Sequence, residues 1–188
     1  MFAAIPVHAE EETLQSISSM RHALQDERIR WIPSENMHLT LKFFGNTPGK
    51  KIRSICNALS AATNDFPDFP LEIDRMGIFG SQHNPRVIWM GFREEEPLYQ
   101  LKKQITEELE NIGLYEDRQN FVPHLTIARI KKLNDKRFFQ KVIDKHKNRF
   151  HQQTQANELI LYESILKSTG AVYNEIERFP FKKNSNAG

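Results

Sequence analysis

Asn36-Met37-His38-Leu39-Thr40-Leu41 and Val122-Pro123-His124-Leu125-Thr126-Ile127 are two copies of one pattern. Each places a His and a Thr two residues apart, between branched aliphatic residues. Side chains two apart on a β-strand share a face. His and Thr therefore point one way, while Leu39 and Leu41, or Leu125 and Ile127, point the other. One face can enter a core while the other presents an imidazole and a hydroxyl. Two such strands offer a pair of imidazoles for acid–base chemistry and a pair of hydroxyls that can hold an oxyanion.

The two histidines are 86 positions apart (124 minus 38), and the same offset superimposes other elements. Phe2-Ala3-Ala4-Ile5 falls on Ile88-Trp89-Met90-Gly91, both short apolar strand candidates. A helical stretch at 11–26 falls on 97–112, where Leu98, Leu101, Ile105, Leu109 and Ile112 form a helical stripe that Gly113 ends. Thr47, read as an N-cap with Pro48 at the first helical position, starts a helix containing Ile52, Ile55 and Leu59. It falls on Leu133-Asn134, which precede Phe138, Lys141 and Lys145. Leu71-Glu72-Ile73 falls near Asn157-Glu158-Leu159. Further strand signals are Arg86 to Phe92 and Leu159 to Ser164, then a turn at Ser168-Thr169-Gly170 and a closing strand over 171–176. Each half thus reads strand, helix, His-x-Thr strand, helix, strand. The expected fold is α+β: a single domain over 1–188 whose halves, approximately 1–80 and 86–180, form two lobes of antiparallel sheet with flanking helices. A pseudo-twofold axis between them, like that of an isologous dimer, brings the two His-x-Thr strands face to face across a central cleft.

Composition sets the broad class. The chain has 188 residues, 39% hydrophobic and 27% charged, as expected for a soluble globular protein. No apolar run approaches the roughly 20 residues that span a bilayer, so no membrane partner is expected. Residues 1–6 are too short and uncharged for a secretory signal and read as a strand. The one cysteine, Cys56, excludes an intrachain disulfide, reads as a small core residue and fits a cytoplasmic setting. A net charge of +2 argues for local contacts with a phosphate-rich partner and against a broad nucleic-acid footprint. The polar tail at 182–188 is expected to fray.

Two His and two Thr suit one chemistry particularly well. With an unperturbed pKa of about 6.5, one imidazole can be neutral and the other protonated near pH 7. The neutral ring takes a proton from water, and the cationic ring protonates a leaving oxygen. The hydroxyls donate to a non-bridging oxygen during attack. The set fits metal-independent hydrolysis of a phosphodiester. A zinc site needs three or four ligands, and no acidic or Cys partner recurs beside either motif. His8, His22, His83, His146 and His151 read as structural or surface residues.

With its flanks, the motif pair resembles the two-histidine (2H) phosphoesterase superfamily, and within it the bacterial RNA 2′,3′-cyclic phosphodiesterases, historically called 2′-5′ RNA ligases. The resemblance rests on Trp31-Ile32-Pro33 ahead of His38 to Gly45, Met76 to Gly80 before Pro85 to Trp89, Phe121 to Arg129, and Leu161-Tyr162-Glu163-Ser164. It implies an RNA 3′ end or nucleotide bearing a 2′,3′-cyclic phosphate as substrate and no metal or organic cofactor; the chain is expected to act as a monomer. It implies His124 as proton acceptor from water and His38 as proton donor to the departing 3′ oxygen, leaving a 2′-phosphate. Thr40 and Thr126 would hold phosphate oxygens.

The same resemblance suggests Arg129 as a phosphate ligand. Strict alternation points it away from His124 and Thr126 unless the strand ends, twists or bulges after Ala128. Lys42 shares parity with His38 but reads as a solvated strand-end residue. Phe43 and Phe44 adjoin the motif and one of them can stack on a base, with core packing the favoured reading for Phe43; Trp31 reads as either a cleft wall or a core anchor. The alternatives to hydrolysis are 2′-5′ ligation at the same site, a cyclic phosphodiesterase for small metabolites, and a non-catalytic binding module for nucleotides or RNA ends.

Overall fold

The computed structural model describes residues 1–81, 83–115, 120–167 and 170–184. Among them are nine strands and four α-helices: β1 (Phe2–Pro6), α1 (Glu11–Ala23), β2 (Arg28–Trp31), β3 (His38–Phe43), α2 (Gly49–Thr63), β4 (Phe69–Ser81), β5 (Asn84–Phe92), α3 (Glu96–Glu110), β6 (Leu125–Lys132), α4 (Lys136–His146), β7 (Gln152–Ala156), β8 (Glu158–Lys167) and β9 (Gly170–Pro180). Every strand pairing is antiparallel, in the order β7-β4-β5-β6-β3-β1-β8-β9, with β2 added to β6. The α+β class and the repeating element order are those read from the 86-residue offset.

The sheet order carries the pseudo-symmetry. Exchanging β1 with β5, β3 with β6 and β4 with β8 reverses the six central strands onto themselves. The chain halves nevertheless interleave. β4 lies beside β5 and β7 of the second half, and β8 lies beside β1 of the first. The helices follow suit, with α2 packed on α3 and α1 on α4.

The helices bury the stripes their sequences advertise. Ile55, Cys56 and Leu59 of α2 and Leu98, Leu101, Ile105 and Leu109 of α3 join Leu39, Leu41, Leu125 and Ile127 in one core. The spacing of three and four residues along each helix gives that apolar face. Asp135 caps α4 by accepting from the Phe138 N–H at 2.9 Å. Gly113, at φ +76°, ends the α3 segment in the left-handed region, where a side chain would be strained.

Three details differ from expectation. Pro48, not Thr47, is the N-cap of α2, and the helix begins at Gly49. Pro48 is extended (φ −60°, ψ 137°), and the Thr47 hydroxyl donates weakly back to the carbonyls of Phe44 and Gly45 rather than accepting from the helix. β2 and β7 carry no strand signal of their own, being short and rich in polar residues. The tail is held as far as Asn184: the Lys182 N–H donates to Phe66 O at 2.8 Å, and the Asn184 N–H donates to Asp68 Oδ1 at 2.9 Å. Residues 185–188, and Ser168 and Thr169 of the expected turn, lie outside the described residues.

Candidate active site

β3 and β6 pair at one position, Leu39 with Leu125, and these two residues are themselves 86 apart. The pseudo-twofold axis passes between them. Both leucines are fully buried, so their strand neighbours face the opposite side. Antiparallel running sets His38 beside Thr126 and Thr40 beside His124. Both motifs thereby line one cavity of about 870 Å³, together with Arg129, Arg30, Phe43, Phe79 and Tyr173. Pairing at a single position lets the strands diverge on either side, which opens the cleft.

The imidazoles are held alike. Nδ1 of His38 lies 2.7 Å from Asn36 O, and Nδ1 of His124 lies 2.8 Å from Val122 O. A carbonyl only accepts, so Nδ1 carries the hydrogen in both rings. The other nitrogen, Nε2, is then a lone-pair acceptor when the ring is neutral. Aromatic rings pack each imidazole in place. Phe2 lies 4.8 Å from His38 between centroids, and Tyr173 meets it edge-on at 5.2 Å. Phe79 meets His124 edge-on at 4.7 Å and stacks on Trp89 at 5.2 Å. Gly77 makes room for that indole, because a Cβ there would come within 2.4 Å of the Trp89 ring. Both imidazoles titrate below 6.5. Desolvation is the main cause in each, opposed by the backbone hydrogen bond. The Arg129 charge pushes in the same direction as burial at both, and His124 adds to it at His38.

Two bulges settle which further residues face the cleft. Ala3 and Ala4 of β1 pair with Lys42 and Thr40, which leaves Leu41 as an extra residue in β3. Ile88 and Trp89 of β5 pair with Ala128 and Thr126, which leaves Ile127 extra in β6. The extra residues are again 86 apart. Each bulge shifts the alternation by one. Arg129, three residues after Thr126, therefore lines the cavity, meeting the condition that strict alternation had imposed. Phe43, three after Thr40, does so too and is 68% exposed, so its expected core role is overturned. Phe44 packs on the core instead, as does Trp31, whose partner across β6 is the buried Ala128. Lys42 lies outside the lining residues.

A profile of the 2′-5′ RNA ligase superfamily matches residues 5–165. The chain belongs to that superfamily. Two relatives are RNA 2′,3′-cyclic phosphodiesterases. The one from Methanocaldococcus jannaschii is 30% identical over 181 residues, spanning 95% of this chain and 99% of the relative. The one from Thermotoga maritima is 32% identical over 153 residues, spanning 81% and 79%. In fold, the superfamily member resembles TT0787 of Thermus thermophilus, with a TM-score of 0.76 at 21% identity, covering 96% of each chain.

Of the residues lining the cleft of this superfamily member, Arg30, Phe79 and Tyr173 were not singled out from sequence. They come from β2, β4 and β9; Phe79 lies in the Met76 to Gly80 stretch that carries the resemblance, and no local pattern marks Arg30 or Tyr173. Cys56 is buried as expected, and burial pushes its thiol up to about 12. Among the described residues, no three His, Cys, Asp or Glu side chains gather as a metal ion would require. No helix of the described residues is long and apolar enough to cross a membrane.

Proposed function

We propose that the protein hydrolyses 2′,3′-cyclic phosphates at RNA 3′ ends to 2′-phosphomonoesters, without a metal, as a monomer in the cytoplasm. One observation carries the reading. The two His-x-Thr strands of a single chain meet at Leu39 and Leu125, and each imidazole is oriented through Nδ1 so that Nε2 is its free nitrogen. The names of the relatives support the substrate. In this reading His124 takes a proton from water as the water oxygen attacks phosphorus. The bond from phosphorus to the 3′ oxygen breaks, and His38 delivers its proton to that oxygen. Thr40 and Thr126 donate to a non-bridging oxygen, where charge builds during attack. Arg129 supplies a guanidinium fork to the same phosphate. The test is incubation, in EDTA, with a short RNA ending in a 2′,3′-cyclic phosphate. A 2′-phosphate product is expected. Tight binding with no product would replace hydrolysis by a binding role.

The depressed imidazole pKa values predict the pH dependence. The base must be neutral and the acid protonated, and in the free protein both groups titrate below 6.5. Above that value the protonated fraction of the acid falls about tenfold per pH unit. The profile of kcat/KM, which reports the free enzyme, therefore peaks on the acid side of pH 6.5. A bound phosphate anion favours the imidazolium, so kcat peaks at higher pH. Coincident optima above pH 7.5 would contradict this electrostatic account.

A further inference from the structure

Arg30 of β2 is the cross-strand partner of Arg129 on β6, and both line the catalytic cavity. Directly opposed residues of an antiparallel pair share a face, with Cβ atoms about 5 Å apart, and like charges there cost stability. Arg75, Arg93 and Arg178 are each ion-paired with carboxylates. Neither Arg30 nor Arg129 has an ion pair or hydrogen bond among the described residues. Glu163, on β8, is the one carboxylate among the described lining residues. The Arg30 side chain runs toward the β8–β9 hairpin and rests on Gly170, where a Cβ would come within 2.6 Å of Nη2. Gly170, at φ +147°, leaves that space open. Arg30 thus directs its guanidinium toward the hairpin. The cavity, at about 870 Å³, is near the upper end of the roughly 300–1,000 Å³ typical of small-molecule sites. A cyclic phosphate and its ribose leave much of it open.

We propose that Arg30 is a specificity residue that binds a second phosphate of the substrate, the one attached to the 5′ oxygen of the terminal nucleoside. The proposal rests on the hydrolase reading above and extends it to substrate class. Within one nucleotide of the cyclic phosphate, the 5′ phosphate is the only other anionic group. Arg129 takes the reacting phosphate and Arg30 the neighbouring one, which relieves the repulsion between the two cations. The preferred substrate carries two phosphates around its last ribose. The second is either a terminal 5′-phosphate or the linkage to the preceding nucleotide.

The test compares three substrates: adenosine 2′,3′-cyclic phosphate, the same nucleoside with a 5′-phosphate, and a dinucleotide ending in the cyclic phosphate. The wild-type protein is expected to favour either of the latter two by about tenfold or more in kcat/KM, the strength of a charge-assisted contact. Arg30→Ala is expected to erase that preference, and Arg30→Lys to restore part of it. A preference for the dinucleotide alone assigns the site to the internucleotide linkage, and a shared preference assigns it to any 5′ phosphate. Arg30→Ala that slows all three substrates equally, or none, overturns the proposal. A binding arm separates this from failure of the hydrolase reading. Adenosine 3′,5′-bisphosphate should bind about tenfold tighter than adenosine 3′-monophosphate, and Arg30→Ala should remove the gain, whether or not any cyclic phosphate is turned over. Equal affinities in the wild-type protein, with no dinucleotide preference that Arg30→Ala removes, would overturn the subsite.

Discussion

His38→Ala and His124→Ala each lower turnover of an RNA-terminal cyclic phosphate by about 10²–10⁴-fold, the range of a positioned acid or base. Both rings sit half-buried at a cleft edge, so removing either leaves the Leu39–Leu125 core intact, and the variants should keep the far-UV spectrum of the parent. The geometry is symmetric about the axis, with Nδ1 of each ring tied to the carbonyl two residues before it. Replacing the bridging 3′ oxygen of the substrate by sulfur tells the roles apart. A thiolate leaves without a proton, so the sulfur substrate restores His38→Ala and leaves His124→Ala slow. Rescue of His124→Ala instead would exchange the two roles. Near-normal rates in either folded variant on the oxygen substrate would rule out two-histidine catalysis.

The largest stability effect lies away from the cleft, at His151. This side chain is 0% exposed; its Nδ1 lies 3.2 Å from Ser16 Oγ of α1, and its Nε2 has no partner among the described residues. Burial pushes its pKa down to about 4. The charges of His146 and Arg149 add to the shift, while the His146 backbone and Asp74 oppose it. The unfolded chain protonates His151 near pH 6.5, but the folded chain resists protonation until about pH 4. The contribution is fully present above pH 6.5 and is lost as pH falls toward 4, a gap worth about 3 kcal/mol. His146, also buried and depressed, acts in the same direction. Urea unfolding at pH 7.5 and 4.5 should show the wild-type protein losing about 2.5 kcal/mol more than His151→Gln. Equal losses in the two proteins would mean that the imidazole is not what acid disrupts.

Much of the fold was legible because its signals are local. The α3 stripe and Gly113, the alternation of β3 and the apolar run of β5 each sit within one short stretch of chain. Elements with weak local signals were harder to read. β2 and β7 are short and polar, and they are strands because β6 and β4 offer them partners. The buried positions of His146 and His151 were hidden for the same reason, since a Lys/Arg-rich stretch gives no sign that α1 and β4 will cover part of it.

The amino-acid sequence by itself determined the pair of His-x-Thr strands, their shared 86-residue offset and the side to which His and Thr point. Those features follow from the period of two along one strand and from a repeat visible by eye. Only the tertiary structure decided that Arg129 and Phe43 turn into the cleft and that Arg30 stands beside Arg129. A bulge is an extra residue relative to a partner strand, so Leu41 and Ile127 become extra only once β1 and β5 have paired beside them. The same non-local pairing sets Arg30 opposite Arg129, about 100 positions away along the chain.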